Sequence, residues 1–408
     1  MAAASGIEFA NAASAIGILT IFVNPMSQEF GWSRTEIAGA TSLGAVLGAG
    51  LAPFSGRLID KIGARAVLTL GGITVALACL YLSVAHTLLG FYIAFTFSRT
   101  ADQGLIKIGA STSVGKWFQR YRGRAVAMVF FAGAAGIIVL APIVQLVISL
   151  WDWRVAWVML GVVMLVLGVV PSVLVIRRLP EDLGLAVDGA PPQDPNGSGD
   201  PATDWLVAAE ETQWTLRLVV RTPTFWLVLI SLFVASTGNS GVGLHLVPHL
   251  TQQGLSDVEA VGAISIMSTS AAVAALVLGV MAEKVPPRGM LVFLYLLVAA
   301  NMGVLILADT LAESYLFAVL SGITGTGINT LAPLLWASYY GRGTLGSIYG
   351  LSLAARVFGF AVGPLASAIV YDATGSYQNA FIYFALLALG SSGLMLLARR
   401  PTLKLPPQ

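Results

Sequence analysis

Runs of about 20 apolar residues recur along the whole chain, and that length matches the roughly 30 Å of hydrocarbon a helix must cross. No other feature of the 408-residue sequence limits its fold as severely. Twelve spans are read, at residues 4–25, 35–58, 66–85, 88–114, 123–150, 153–176, 224–250, 256–282, 288–308, 313–338, 343–370 and 377–398. Composition agrees: 57% hydrophobic against 10% charged residues leaves too little polar cover for water. The first run lacks the basic start of a secretory leader, so it is read as the first span. The single cysteine, Cys79, falls in the third span, so neither a disulfide framework nor a CxxC metal site is expected, and no cofactor is.

Basic residues set the orientation. With both termini inside, 17 of the 22 lysines and arginines fall in cytoplasmic segments and two, Arg34 and Arg154, in outer ones, as the positive-inside bias requires. A multi-pass protein of the inner membrane follows, facing lipid and not nucleic acid, and functional as a monomer. Three basic residues remain inside the spans: Arg99, Lys107 and Arg356. Between the sixth and seventh spans, "APPQDPNGSGDPATD" reads as a cytoplasmic linker. The stretch 204–221, with Trp205 and Trp214, reads as an interfacial helix. The expected organisation is a six-helix bundle at 1–176, a linker at 177–222 and a second bundle at 223–408.

The halves echo each other. "GRLIDKIGAR" (56–65) follows the second span and "GVMAEKVPPR" (279–288) the eighth, offset by 223 residues. Arg122-Gly123 against Arg342-Gly343 gives 220, and Pro142 against Pro364 gives 222. A near-constant offset argues for a duplicated six-helix unit, an arrangement that puts a substrate site between halves near the midplane. With the loop motif, this pattern resembles the major facilitator superfamily over essentially the whole chain. "EFGWSRTEI", "GKWFQRYRGRAVAM", "RRLPEDLGL" and "HLVPHL" are similar to the bacterial monocarboxylate transporter branch and its oxalate-formate exchanger relatives. The resemblance implies an all-α fold of two six-helix bundles related by a pseudo-twofold axis, and alternating-access transport. It also implies gating by the loop motif, at Gly56, Asp60, Arg65, Glu283 and Arg288. Physically, a carboxylate at Asp60 or Glu283 suits the positive end of a neighbouring helix, while loop charges that only set topology are the plainer reading. The chain departs from the branch at Asn24-Pro25-Met26, where a lysine is common, and in an eighth span without an acid or arginine.

Ionisable groups inside a membrane are costly and are usually turned inward and used. Arg356 sits near mid-depth on a stripe with Tyr349 and Ser352, as expected of a helix lining an aqueous cavity; a fixed structural arginine is the alternative. In the fourth span Arg99, Gln103 and Lys107 are four apart and Asp102 is three after Arg99, placing them on one side. Arg99 with Asp102 also reads as a permanent pair, and Lys107 as a cation reaching the inner headgroups. The embedded charges, including Glu8, leave an excess of one cation, so an anionic substrate is expected at Arg356, Arg99 and Lys107. Asn11, Gln103, Asn239, Asn329, Tyr349 and Ser352 are candidates to orient it, and Asp102 and Glu8 to carry a proton. Anion exchange, proton-coupled efflux of lipophilic compounds and a non-transporting sensor are the other readings. Catalysis is not expected, because no nucleophile-base-acid set appears.

Overall fold

The computed structural model describes residues 1–32, 34–185, 187, 214–243, 257–308, 310–374 and 377–402. Every regular element among them is helical. In chain order these are α1 (Ala2–Ala10), α2 (Ile16–Phe30), α3 (Arg34–Ile62), α4 (Ala64–Leu82), α5 (Leu88–Ala101), α6 (Lys107–Trp117), α7 (Arg122–Leu150) and α8 (Trp153–Val163). There follow α9 (Val170–Val175), α10 (Leu216–Val219), α11 (Pro223–Gly243), α12 (Asp257–Met281), α13 (Pro287–Ile306), α14 (Leu311–Tyr340), α15 (Leu345–Thr374) and α16 (Tyr377–Leu397).

Eight helical segments among the described residues are long and apolar enough to cross a membrane, and the bent pair Ala2–Ser14 with Ile16–Val23 makes a ninth. The apolar helices Pro223–Gly238 and Ile266–Met281 are shorter as described. The run 88–117 is interrupted by the charges of Arg99, Asp102 and Lys107. Together these account for the twelve spans. Large apolar side chains such as Leu89, Leu146, Leu174, Phe293 and Leu397 stand open on the outside, which suits a hydrocarbon solvent rather than water.

Local chemistry ends the helices. The Thr87 hydroxyl accepts the Gly90 N–H at the start of α5, and Thr310 with Glu313 forms a reciprocal capping box on α14. Gly31, at φ 72°, closes α2 in the left-handed conformation that a side chain disfavours.

Three details depart from twelve plain helices. The first span breaks at Asn11–Ser14, a 3-10 turn, and Ala15 is extended, so α1 and α2 meet at a 42° bend. π-helical turns interrupt the fourth span at Asp102–Ile106 and the sixth at Met164–Val169. Most of the expected interfacial helix, including Trp205, lies outside the described residues, as do His245 and His249. Trp214 is described: it is buried, edge-on to Tyr340 with ring centroids 5.1 Å apart.

The chain divides into two compact units, Met1–Gly197 with Thr344–Ala354, and Ser198–Gly343 with Ala355–Gln408. In the first, aromatic rings fill the core, with Phe22 stacked on Trp157 at 4.1 Å and Phe95 edge-on to Trp157 at 6.4 Å. Cys79, on α4, is fully buried there. In the second, Gly322 lets α14 press against the α12 backbone at Met267 and Ala271, and Gly327 receives Leu278 and Leu294. The glycine-rich "GITGTGIN" is thus a close-packing seam.

Candidate functional site

The first unit holds a charged cluster built around Asp102. Its carboxylate is buried and accepts hydrogen bonds from Arg99 Nη1 at 2.5 Å, Asn11 Nδ2 at 2.7 Å and Gln103 Nε2 at 2.8 Å. Lys107 Nζ stands 3.7 Å away. Two backbone features assemble this set. The broken first span frees the Ser14 carbonyl, which Arg99 Nη1 also reaches at 3.2 Å, while the Ser14 and Ser98 hydroxyls pair at 2.7 Å. The π turn does the rest. In an α-helix residues five apart diverge by about 140°, but the wider π turn, bonded from i to i+5, carries Lys107 back under Asp102.

Glycines on α3 set the depth of the cluster. A methyl group added at Gly44 would meet the Arg99 Cβ at 2.5 Å, and one at Gly48 the Gln103 Cβ at 2.7 Å. Only bare backbone allows α3 to lie this close to α5 and the π turn. Thr96 and Thr100 fasten the same seam, donating to the Ala40 and Gly44 carbonyls. Arg99 is nearly enclosed, with a side chain 13% exposed, whereas that of Lys107 is 36% exposed. Glu8 on α1 is buried within electrostatic reach of Lys107 and Asp102.

Among the described residues the second unit holds one buried cation, Arg356, whose Nη2 donates to the Asn329 side-chain carbonyl on α14. The buried hydroxyl of Tyr295 on α13 lies within its electrostatic reach. Gly359, one turn along α15, packs against the Phe233 carbonyl of α11. Tyr349 and Ser352, on the stripe of Arg356, are buried and belong to the first unit. The Asn239 side chain lies outside the described residues. Sequence reasoning missed Tyr295 and also Asn301, whose amide bridges α13 to the Phe317 carbonyl and Ser321 hydroxyl of α14. Both are polar residues in one otherwise apolar stretch, which is the signal that was there to use.

At one end of the first unit, Asp60 accepts the Gly346 and Ser347 N–H groups at 2.9 and 2.7 Å, capping the start of α15. Lys116 donates to the same carboxylate at 2.8 Å and is 4% exposed. Gly56 makes the contact possible, since any side chain there would strike the Gly346 carbonyl. The other motif residues are placed differently. Arg65 is exposed and Glu283 half-buried. Arg288 donates to the Met395 and Leu396 carbonyls, closing the C-terminus of α16. Arg122, counted from sequence as a loop charge, is buried and pins the turn after α6 through the Gly115 and Phe118 carbonyls at 2.9 and 3.0 Å. At the opposite end Arg154 bridges Glu29 and lies 4.3 Å over the Trp153 ring. No group of three metal-ligating side chains occurs among the described residues.

A family model for the Major Facilitator Superfamily matches residues 4–316, most of the chain. The chain belongs to that superfamily. Human monocarboxylate transporter 11 is 25% identical over 381 residues, covering 90% of this chain and 75% of that protein. The oxalate:formate antiporter of Oxalobacter formigenes is 21% identical over 354 residues, covering 86% of this chain and 78% of that one. The crystal structure of the superfamily transporter FucP in its outward conformation aligns over 98% of both chains, with a TM-score of 0.75 at 13% identity. The twelve helices therefore have the superfamily fold, and this superfamily member is a multi-pass membrane transporter and not an enzyme.

Proposed function

We propose that the chain carries small organic anions, monocarboxylates foremost, by alternating access coupled to protons, in the inner membrane with both termini cytoplasmic. The observation that carries this reading is Arg356, a guanidinium held inside an apolar unit by a neutral amide oxygen. A cation inside the membrane is costly and is usually turned inward and put to use, so Arg356 is the candidate docking point for an anion. Asn329 holds the guanidinium in position, and Tyr295 of the same unit is a candidate partner for carboxylate oxygens. In the first unit Lys107 presents its half-open ammonium, Arg99 serves mainly to hold Asp102, and Asn11 and Gln103 complete the support. Asp60, with Gly56, Lys116 and the first amides of α15, forms the inner latch; Arg65 and Glu283 are secondary to it, and Arg288 serves packing. Similarity to an oxalate:formate antiporter favours a second reading, exchange of one organic anion for another.

Proteoliposome uptake of labelled lactate, pyruvate and oxalate, with and without an imposed pH gradient, tests both. Stimulation by an inward proton gradient supports symport, and stimulation by internal anion alone supports exchange. Arg356→Gln is expected to abolish uptake with expression intact. Retained transport refutes the role of Arg356.

A further inference from the structure

The proton-coupled reading leaves open which buried carboxylate takes the proton, and this inference rests on that reading. Asp102 and Glu8 share one cluster but not one environment. Asp102 is saturated by Arg99, Asn11 and Gln103 and flanked by Lys107. Protonating it would strand a buried guanidinium and break charge-assisted bonds. Glu8 accepts no hydrogen bond from any described residue. It is 9% exposed, and its Oε2 lies 3.5 Å from where a side chain on Gly133 would begin, against bare backbone of α7. The charged groups that face it are Lys107 from α6 and Asp102 from the π turn. The neighbouring part of α7, residues 164–169 and α9 contribute no titratable side chain.

We infer that Glu8 takes up the proton that accompanies the anion, while Asp102 stays a fixed countercharge that positions Lys107. With Glu8 ionised, Arg99 and Lys107 are balanced by Asp102 and Glu8, and the cluster is neutral. One proton on the Glu8 carboxylate makes it a neutral acid and leaves the cluster with a single net positive charge. The exposed group able to present that charge is the Lys107 ammonium. Proton and anion then favour each other, and an anion leaving Lys107 releases the proton by the same linkage.

The test compares wild type, Glu8→Gln and Asp102→Asn in proteoliposomes loaded with lactate, pyruvate or oxalate. Wild type should accumulate its anion by up to about tenfold per pH unit imposed. In Glu8→Gln the ratio of uptake with and without the gradient should fall to one while exchange of the same anion stays measurable. In Asp102→Asn that gradient ratio should persist while transport itself falls. An unchanged ratio in Glu8→Gln, or a wild type that exchanges without any response to the gradient, overturns the inference. Absence of exchange by wild type overturns the organic-anion reading instead, and infrared spectroscopy of the purified protein then decides Glu8 without a substrate. Subtracting the Glu8→Gln spectrum from that of wild type should leave the carbonyl stretch of one protonated acid that disappears as pH rises; its absence from the difference overturns the assignment. Glu8→Asp guards against misfolding of the glutamine variant. A shifted pH midpoint supports the inference, and an unshifted one overturns it.

Discussion

At the scale of single residues, the same side-chain type serves opposite ends depending on what surrounds it. Lys116 and Asp60 form a buried pair at 2.8 Å. Removing one partner of such a pair costs about 3–5 kcal/mol, because the other charge stays enclosed. Lys116→Met should therefore lower the thermal midpoint in detergent, and Asp60→Asn with Lys116→Met, which keeps an acceptor for the α15 amides, should recover part of that loss. A double variant no better than either single would show that the pair is not what holds this end. Glu29 differs, being largely open to solvent. The Arg154 guanidinium that donates to it, helped by Trp153, holds its carboxyl below the usual carboxylate range. A depressed carboxylate stabilises above its unfolded-state value, and this is lost as pH falls through the lowered one. Arg154→Ala should thus reduce the thermal midpoint near neutrality and make little difference in strong acid. Depth was legible for Arg356, since a lone charge in a long apolar run can be counted from either end. Its bond to Asn329 was not, because two helices meet there whose rotation no local pattern states.

Among the elements, the π turn at Asp102–Ile106 is where sequence reasoning fell short. Spacing of four put Arg99, Gln103 and Lys107 on one α-helical side. The structure unites Asp102 with Lys107, five residues on, through a turn that no residue type announces. Deleting Gly104 would restore α-helical winding with the lysine four residues from Asp102, about 40° away around the helix. Such a variant should still insert, purify and keep transport, and loss of activity would show that the π turn itself is needed. The seam on α3 makes a matching prediction. Gly44→Val drives a side chain into Arg99 and should cost about 1–3 kcal/mol of stability by overpacking, with loss of transport. Gly50, which has open space around it, is the control: Gly50→Val should be tolerated. The spans themselves were readable because hydrocarbon demands length and apolarity, which sequence states directly. The break at Asn11–Ser14 was not, because Asn11 and Ser14 find partners about 90 residues away, at Asp102 and Ser98.

For the molecule as a whole, the duplicated sequence pattern did not produce two copies of one chemistry. The first copy of the loop motif latches the start of α15 through Asp60, whereas the second uses Arg288 to close α16. The charged cluster of the first unit has no counterpart at the corresponding level of the second, where Ser321, Thr324 and Asn329 stand near the repeat positions of Arg99, Asp102 and Lys107. The spans recur in the two halves, whereas their polar content differs. The sulfur content of the chain has a practical outcome of its own. With its sole thiol sealed inside α4, the natural protein should resist maleimide reagents in the folded state and react only once unfolded. Paired spin labels or fluorophores can therefore be attached at newly installed cysteines in an otherwise unaltered carrier, and its opening and closing followed as distances in real time.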